Sequence, residues 1–261
     1  MRVAGIKRNV FIAVAVFSML LLSGSCGIME ETDYIYPIHG ENIKPDFPNV
    51  TVDITNENSG VPSFKNFVIY YRFYLSDKTG ESGFYITENF KNINITLSTH
   101  YNAIKPKIDA EKPFIYSNLN DLFIVTGYKK LALREKDTDT TIDAERVLKS
   151  NVLGCTLKFE FPTILSTNVS PTMTIKDTSG NDKTYILLRG VTDLGAADYP
   201  FLNTENLRDS AGKDNLDVEK HPTVNDPDFV WCAMYIIATG FQNISNLYST
   251  PALIGVFPMP K

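Results

Sequence analysis

Chemistry in this chain would have to come from three cysteines, three histidines and two runs of acids. The histidines His39, His100 and His221 stand far apart, and none is at ligand spacing from another. No Gly-x-Ser-x-Gly, His-Glu-x-x-His or P-loop occurs. A nucleophile and its base would have to be assembled in space without a local signature. Asp137, Asp139, Thr141 and Asp143 alternate like the first half of a calcium loop. Ile142 stands where that loop needs glycine, and Leu148 where it needs a bidentate Glu. This is the pattern of a solvated acidic turn. The acids Asp209, Asp214, Asp217, Glu219, Asp226 and Asp228 read the same way, on a long surface loop. No catalytic set, metal or cofactor is signalled.

Cys155 and Cys232 each sit in an apolar strand pattern. Two readings stand side by side. Buried free thiols are ordinary core residues. A Cys155–Cys232 disulfide would close a loop of about 77 residues and stabilise by about 4–5 kcal/mol in the entropy model. Trp231 falls on the opposite strand face from Cys232 and reads as edge packing.

The third cysteine has a different setting. Arg2, Lys7 and Arg8 precede an apolar run, Val10 to Leu22, too short to span a bilayer and the length of a signal-peptide core. Leu22-Ser23-Gly24-Ser25-Cys26 follows. This resembles a relaxed bacterial lipobox, with the leucine one place further from the cysteine than in the strict pattern. The resemblance implies cleavage after Ser25 and acylation of Cys26. Several acyl chains, at about 0.8 kcal/mol per buried methylene, would hold the chain on a membrane. The implied compartment is the cell envelope, lipid-anchored, at the outer membrane and facing the periplasm or the surface.

Residues 26–45 are polar and punctuated by Pro37, Gly40 and Pro45, the pattern of a tether. Residues 46–261 form the domain. The chain is organised around Phe67–Leu75. Phe67, Ile69, Tyr71, Phe73 and Leu75 share one strand face and read as core. Val68, Tyr70, Arg72 and Tyr74 share the other, which reads as nearer solvent. Asn49–Ile54, Phe84–Ile86, Phe114–Tyr116, Leu122–Leu133, Cys155–Phe161, Phe229–Thr239 and Ala252–Phe257 also read as strands. Met173–Lys176 and Thr184–Arg189 flank a hairpin turn at Asp177–Asp182. Ile93, Leu97, Tyr101, Ile104 and Ile108 make one stripe of an amphipathic helix. The expected fold is mainly β, an antiparallel sandwich with a large insertion containing that helix.

Two further resemblances bear on it. Met234-Tyr235-Ile236-Ile237-Ala238-Thr239-Gly240 through Ser249-Thr250-Pro251 is similar to the last two strands of a fibronectin type III (Ig-like) sandwich, and Phe67, Ile69 and Tyr71 are similar to its central strand. Cys232 stands where that family carries a tyrosine. The leader, Phe67–Tyr74 and the Ile93–Pro106 segment together resemble uncharacterised treponemal (spirochaete) lipoproteins, which implies an anchored extracytoplasmic protein and brings no activity with it.

The formal charge of −5 becomes about −8 without the three basic leader residues, which argues against nucleic acid as a partner. The function expected is a non-enzymatic binding module for a protein or glycan, anchored to the membrane through its N-terminal lipid. An envelope hydrolase with a spatially assembled site, or an assembly subunit offering a strand edge, are the alternatives.

Overall fold

Val50 and Val52 alternate with Thr51 and Asp53, and Leu157 and Phe159 alternate with Thr156, Lys158 and Glu160. Such segments can bury one face only as strands. In the computed structural model both do, with the apolar members at 0–1% exposure. The structure describes residues 33–46, 49–76, 115–118, 121–124, 128–138, 140–161, 170–189, 217–218, 229–243 and 245–259. The expected strand at 84–86 and the amphipathic helix over 93–108 lie outside the described residues, as does Cys26.

The strands are β1 (Ile43–Asp46), β2 (Asn49–Asp53), β3 (Phe64–Ser76), β4 (Ile115–Asn118), β5 (Asp121–Ile124), β6 (Lys129–Glu135), β7 (Thr141–Asp143), β8 (Thr156–Glu160), β9 (Thr172–Lys176), β10 (Asp182–Arg189), β11 (Phe229–Gln242), β12 (Ser245–Tyr248) and β13 (Ala252–Met259). A single helical turn, α1 (Ala144–Val147), follows β7. The protein is mainly β, and every pairing among these strands is antiparallel.

One path runs β1-β2-β8-β9-β10-β6-β3-β11-β12, with β13 also on β11 and β7 on β6. Where β6 passes to β3 only Tyr70 with Lys130 and Tyr71 with Lys129 are paired. The two wings on either side of that narrow joint share one core. Phe161, just past β8, stacks on Phe257 of β13 with ring centroids 3.9 Å apart. The arrangement is sandwich-like.

The hairpin of β9 and β10 turns as its residues require. Asp177 Oδ1 accepts from the backbone N–H of Ser179 and Asn181 at 2.9 and 2.8 Å. Gly180 takes φ +82°, which a side chain resists. The expected Leu122–Leu133 strand is instead two strands, β5 and β6. A further strand, β12, lies between β11 and β13, where none is expected from the sequence.

Two expectations are corrected. The tether expected over 26–45 does not hold in its described part, since Tyr34 and the residues after it belong to the compact unit Tyr34–Lys261. Ile35 and Ile38 are buried in the core, and β1 pairs with β2. The apolar side chains in that punctuated stretch are few, but two of them find the core. The outer face of β3 is not near solvent either. Val68, Tyr70 and Tyr74 are 0–8% exposed. They join Tyr128, Trp231, Ala233, Tyr235 and Ile237 in a second apolar cluster on the far side of the sheet. The centre of the fold, β3 against β11, is thus buried on both faces. Tyr71 pairs with Met234 and Ile69 with Ile236 in its register.

Candidate functional site

β10 carries Tyr185, Leu187 and Arg189 on one face, by the period of two. The first two enter the core, so the third must as well. A guanidinium there is tolerable only opposite a carboxylate. Asp217 supplies it. Arg189 Nε donates to Asp217 Oδ2 at 2.7 Å, and Nη2 donates to Oδ1, a bidentate pair. Tyr71, inward on β3, donates its hydroxyl to Asp217 Oδ2 at 2.9 Å. The Arg189 and Asp217 side chains are both 0% exposed.

The cluster fixes backbone as well as charge. Phe73 N–H donates to Asp217 O at 2.9 Å, and Val218 forms a parallel bridge with Phe73. The Arg189 guanidinium carbon stands 5.3 Å from the Phe73 ring centroid. Asp217 and Val218 are thereby docked on β3. Burial opposes the Arg189 charge, yet the hydrogen bonds and charge of Asp217, with Tyr71, outweigh it and hold its pKa above the ordinary value. Burial, then the Asp217 charge, raises the Tyr71 phenol well above its ordinary value. The same two causes raise the Cys232 thiol. Arg189, Tyr71 and Cys232 therefore each keep their proton near neutral pH. With no exposure, the arrangement is chemically a clasp: it holds charge and backbone, and offers no open position to a substrate.

Asp217 corrects an expectation. It lies in the acidic stretch read as a solvated loop, and it is fully buried. Arg189 and Tyr71 were missed as site residues. Arg189 had a signal, an arginine in register with two core side chains, which demands a buried acid somewhere. Asp217 had none, because nothing local separates it from its neighbours.

Of the two readings for the cysteines, the structure has buried free thiols at both Cys155 and Cys232. The disulfide fails on placement. Cys155 stands by the β9–β10 turn, within the influence of Asp177 and Thr178. Cys232 stands by Arg189 and Asp217. These are opposite ends of β10, about 25 Å apart for an eight-residue strand, where a disulfide needs Cα atoms within about 7 Å. Trp231 is on the face opposite Cys232, as its spacing requires, but it is 2% exposed inside the second cluster and not at an edge.

Thr141 and Asp143, half of the calcium-like pattern, are in β7 opposite Arg134 and Ala132. Asp143 makes an ion pair with Arg146 at 3.6 Å. His39 faces Glu57 at 3.5 Å on the surface, while His100 and His221 lie outside the described residues. Among the described residues no group of three or more His, Cys, Asp or Glu is arranged to hold a metal, and no helix is long and apolar enough to cross a membrane. Compared with family models, curated proteins and solved structures, the chain finds no match.

Proposed function

We propose that the chain is a membrane-anchored extracytoplasmic lipoprotein, acylated at Cys26, whose β domain is a non-enzymatic binding module for a protein or glycan. One observation carries the anchoring: a basic leader and an apolar run stop at small residues and Cys26. The support for a non-enzymatic role is the state of the buried charges, which are saturated by one another and sealed from solvent.

Detergent phase partitioning tests the anchor. The expressed protein is expected in the detergent phase, and Cys26→Ala in the aqueous phase. A Cys26→Ala chain that stays with detergent would mean a different anchor.

A further inference from the structure

We infer that the Arg189–Asp217–Tyr71 clasp is a selection device: it decides which point of the acid-rich stretch between β10 and β11 docks on β3. This role needs neither the lipid nor a binding partner. The docked contact itself is small. β3 and β11 pair from Phe229 with Ser76 to Gly240 with Phe64. Val218, among the described residues, has a single bridge to Phe73, and that bridge is parallel. A hairpin takes its register from its turn, and a long ladder takes it from many side chains in step. One parallel bridge has neither source. Tyr71 and Asp217 are 146 positions apart, so connectivity does not set the register either.

Something must set it, because rivals stand close by in sequence: Asp209, Asp214, Glu219 and Asp226. The site reads three features at once. Arg189 takes the carboxylate, through Nε to Oδ2 at 2.7 Å and through Nη2 to Oδ1, and the Tyr71 hydroxyl donates to Oδ2 at 2.9 Å. The Phe73 N–H donates to the backbone carbonyl of the same residue at 2.9 Å. The next side chain, Val218, enters the core at 4% exposure. The four rivals are followed by Ser210, Asn215, Lys220 and Pro227. Asp217 alone among these acids is followed by an apolar residue to bury.

Stability is not what such a pair does best. Apolar side chains of similar volume often replace a buried ion pair at no cost. A buried polar group can instead fix one register among several, because every other register leaves it without a partner. The clasp meets that condition, since the Arg189 and Asp217 side chains are both 0% exposed. A segment docked out of step would leave the guanidinium buried and bare, which is the costliest error available at this point of the fold.

The test uses the full chain with methyl-labelled valine and leucine, read by NMR, and hydrogen exchange at the Phe73 amide. The first variant, Asn215→Asp with Asp217→Asn, moves the acid by two positions, which keeps its strand face and leaves Leu216 next after it. Docking is expected to follow the acid. The Val218 methyls then shift to solvent-like positions, the Leu216 methyls to buried ones, and Phe73 protection stays within about tenfold of wild type. The second variant, Arg189→Met with Asp217→Leu, is expected to fold with Val218 in more than one environment and Phe73 exchanging about tenfold faster or more. Leu216 remaining solvent-like in the first variant, or Val218 keeping its one buried environment in either, overturns the selection, because the docking point is then chosen by something other than the acid. Loss of folding in both variants overturns it too, since the clasp is then a stabilising pair. Where only one variant folds, that one decides.

Discussion

β8 and β11 have the same inner alternation and opposite outer faces. In β8, Leu157 and Phe159 are buried, while Thr156, Lys158 and Glu160 are partly open to solvent. In β11, everything from Trp231 to Ala238 is buried. The inner partners are alike, so the core does not distinguish them. The difference is in the intervening residues: Thr, Lys and Glu in one, Trp, Ala, Tyr and Ile in the other. A strand between two apolar layers needs no polar residue in its length, and a run without one is the mark of that position. The fold is thus a peripheral wing with one wet face and a centre with none, and the buried charge pair stands where the two join.

The largest loss is expected at that junction. Asp217→Ala leaves the Arg189 guanidinium buried without its carboxylate, and should cost about 3–5 kcal/mol. Replacing both, as Arg189→Met with Asp217→Leu, should recover most of that loss, because the desolvation cost then disappears with the charges. Urea unfolding midpoints measure it. A loss below about 1 kcal/mol for the single change would mean that the clasp behaves as a surface pair.

The two outer faces can be set against each other directly. Trp231→Ala should cost about 3–5 kcal/mol, as for other large aromatic truncations, and Lys158→Ala less than about 0.5 kcal/mol. Similar losses from thermal or urea unfolding would erase the distinction between wing and centre.

The smallest effect belongs to the far edge of the wing. Asp53 is held below the usual carboxylate range, chiefly by the Lys44 hydrogen bond. A carboxyl depressed on folding stabilises above its unfolded value, near 3.8, and loses that contribution as pH falls through the folded one. Lys44 is 65% and Asp53 34% exposed, so solvent screening limits the pair to under about 1 kcal/mol. Asp53→Asn should lower the urea midpoint slightly at pH 7 and hardly at all at pH 3. A larger gap at pH 3 would reverse the sign argued here.

These residues also mark what could be read without coordinates. The one-faced strands were legible, since Val50, Val52, Leu157 and Phe159 alternate with polar residues and only one period fits. The turn at Asp177 was legible because its asparagine, aspartate and glycine have few other uses. Harder was the outer face of β3. Arg72 among Val68, Tyr70 and Tyr74 suggested water, but its guanidinium carbon stands 5.5 Å from the Tyr74 ring centroid, and the aromatics beside it are buried. The clasp was half legible: the register of Arg189 implies a buried acid, but which acid is a tertiary fact. Asp217 meets β3 from a point far along the chain, and no local pattern encodes that meeting.

The pairing of Tyr71 with Met234 ties the two halves of the centre across some 160 positions of sequence. Neither strand of that pair can shed its apolar surface on local neighbours. During synthesis β3 is complete long before β11 exists, so its two apolar faces wait for a partner made near the end. Loop closure over such a span comes before its contacts reward it, and folding dominated by such pairings is slow. The chain therefore has a long interval in which it is extended, sticky and unfinished. That interval makes shielding of the Phe64–Ser76 segment the first demand on the cell that produces it.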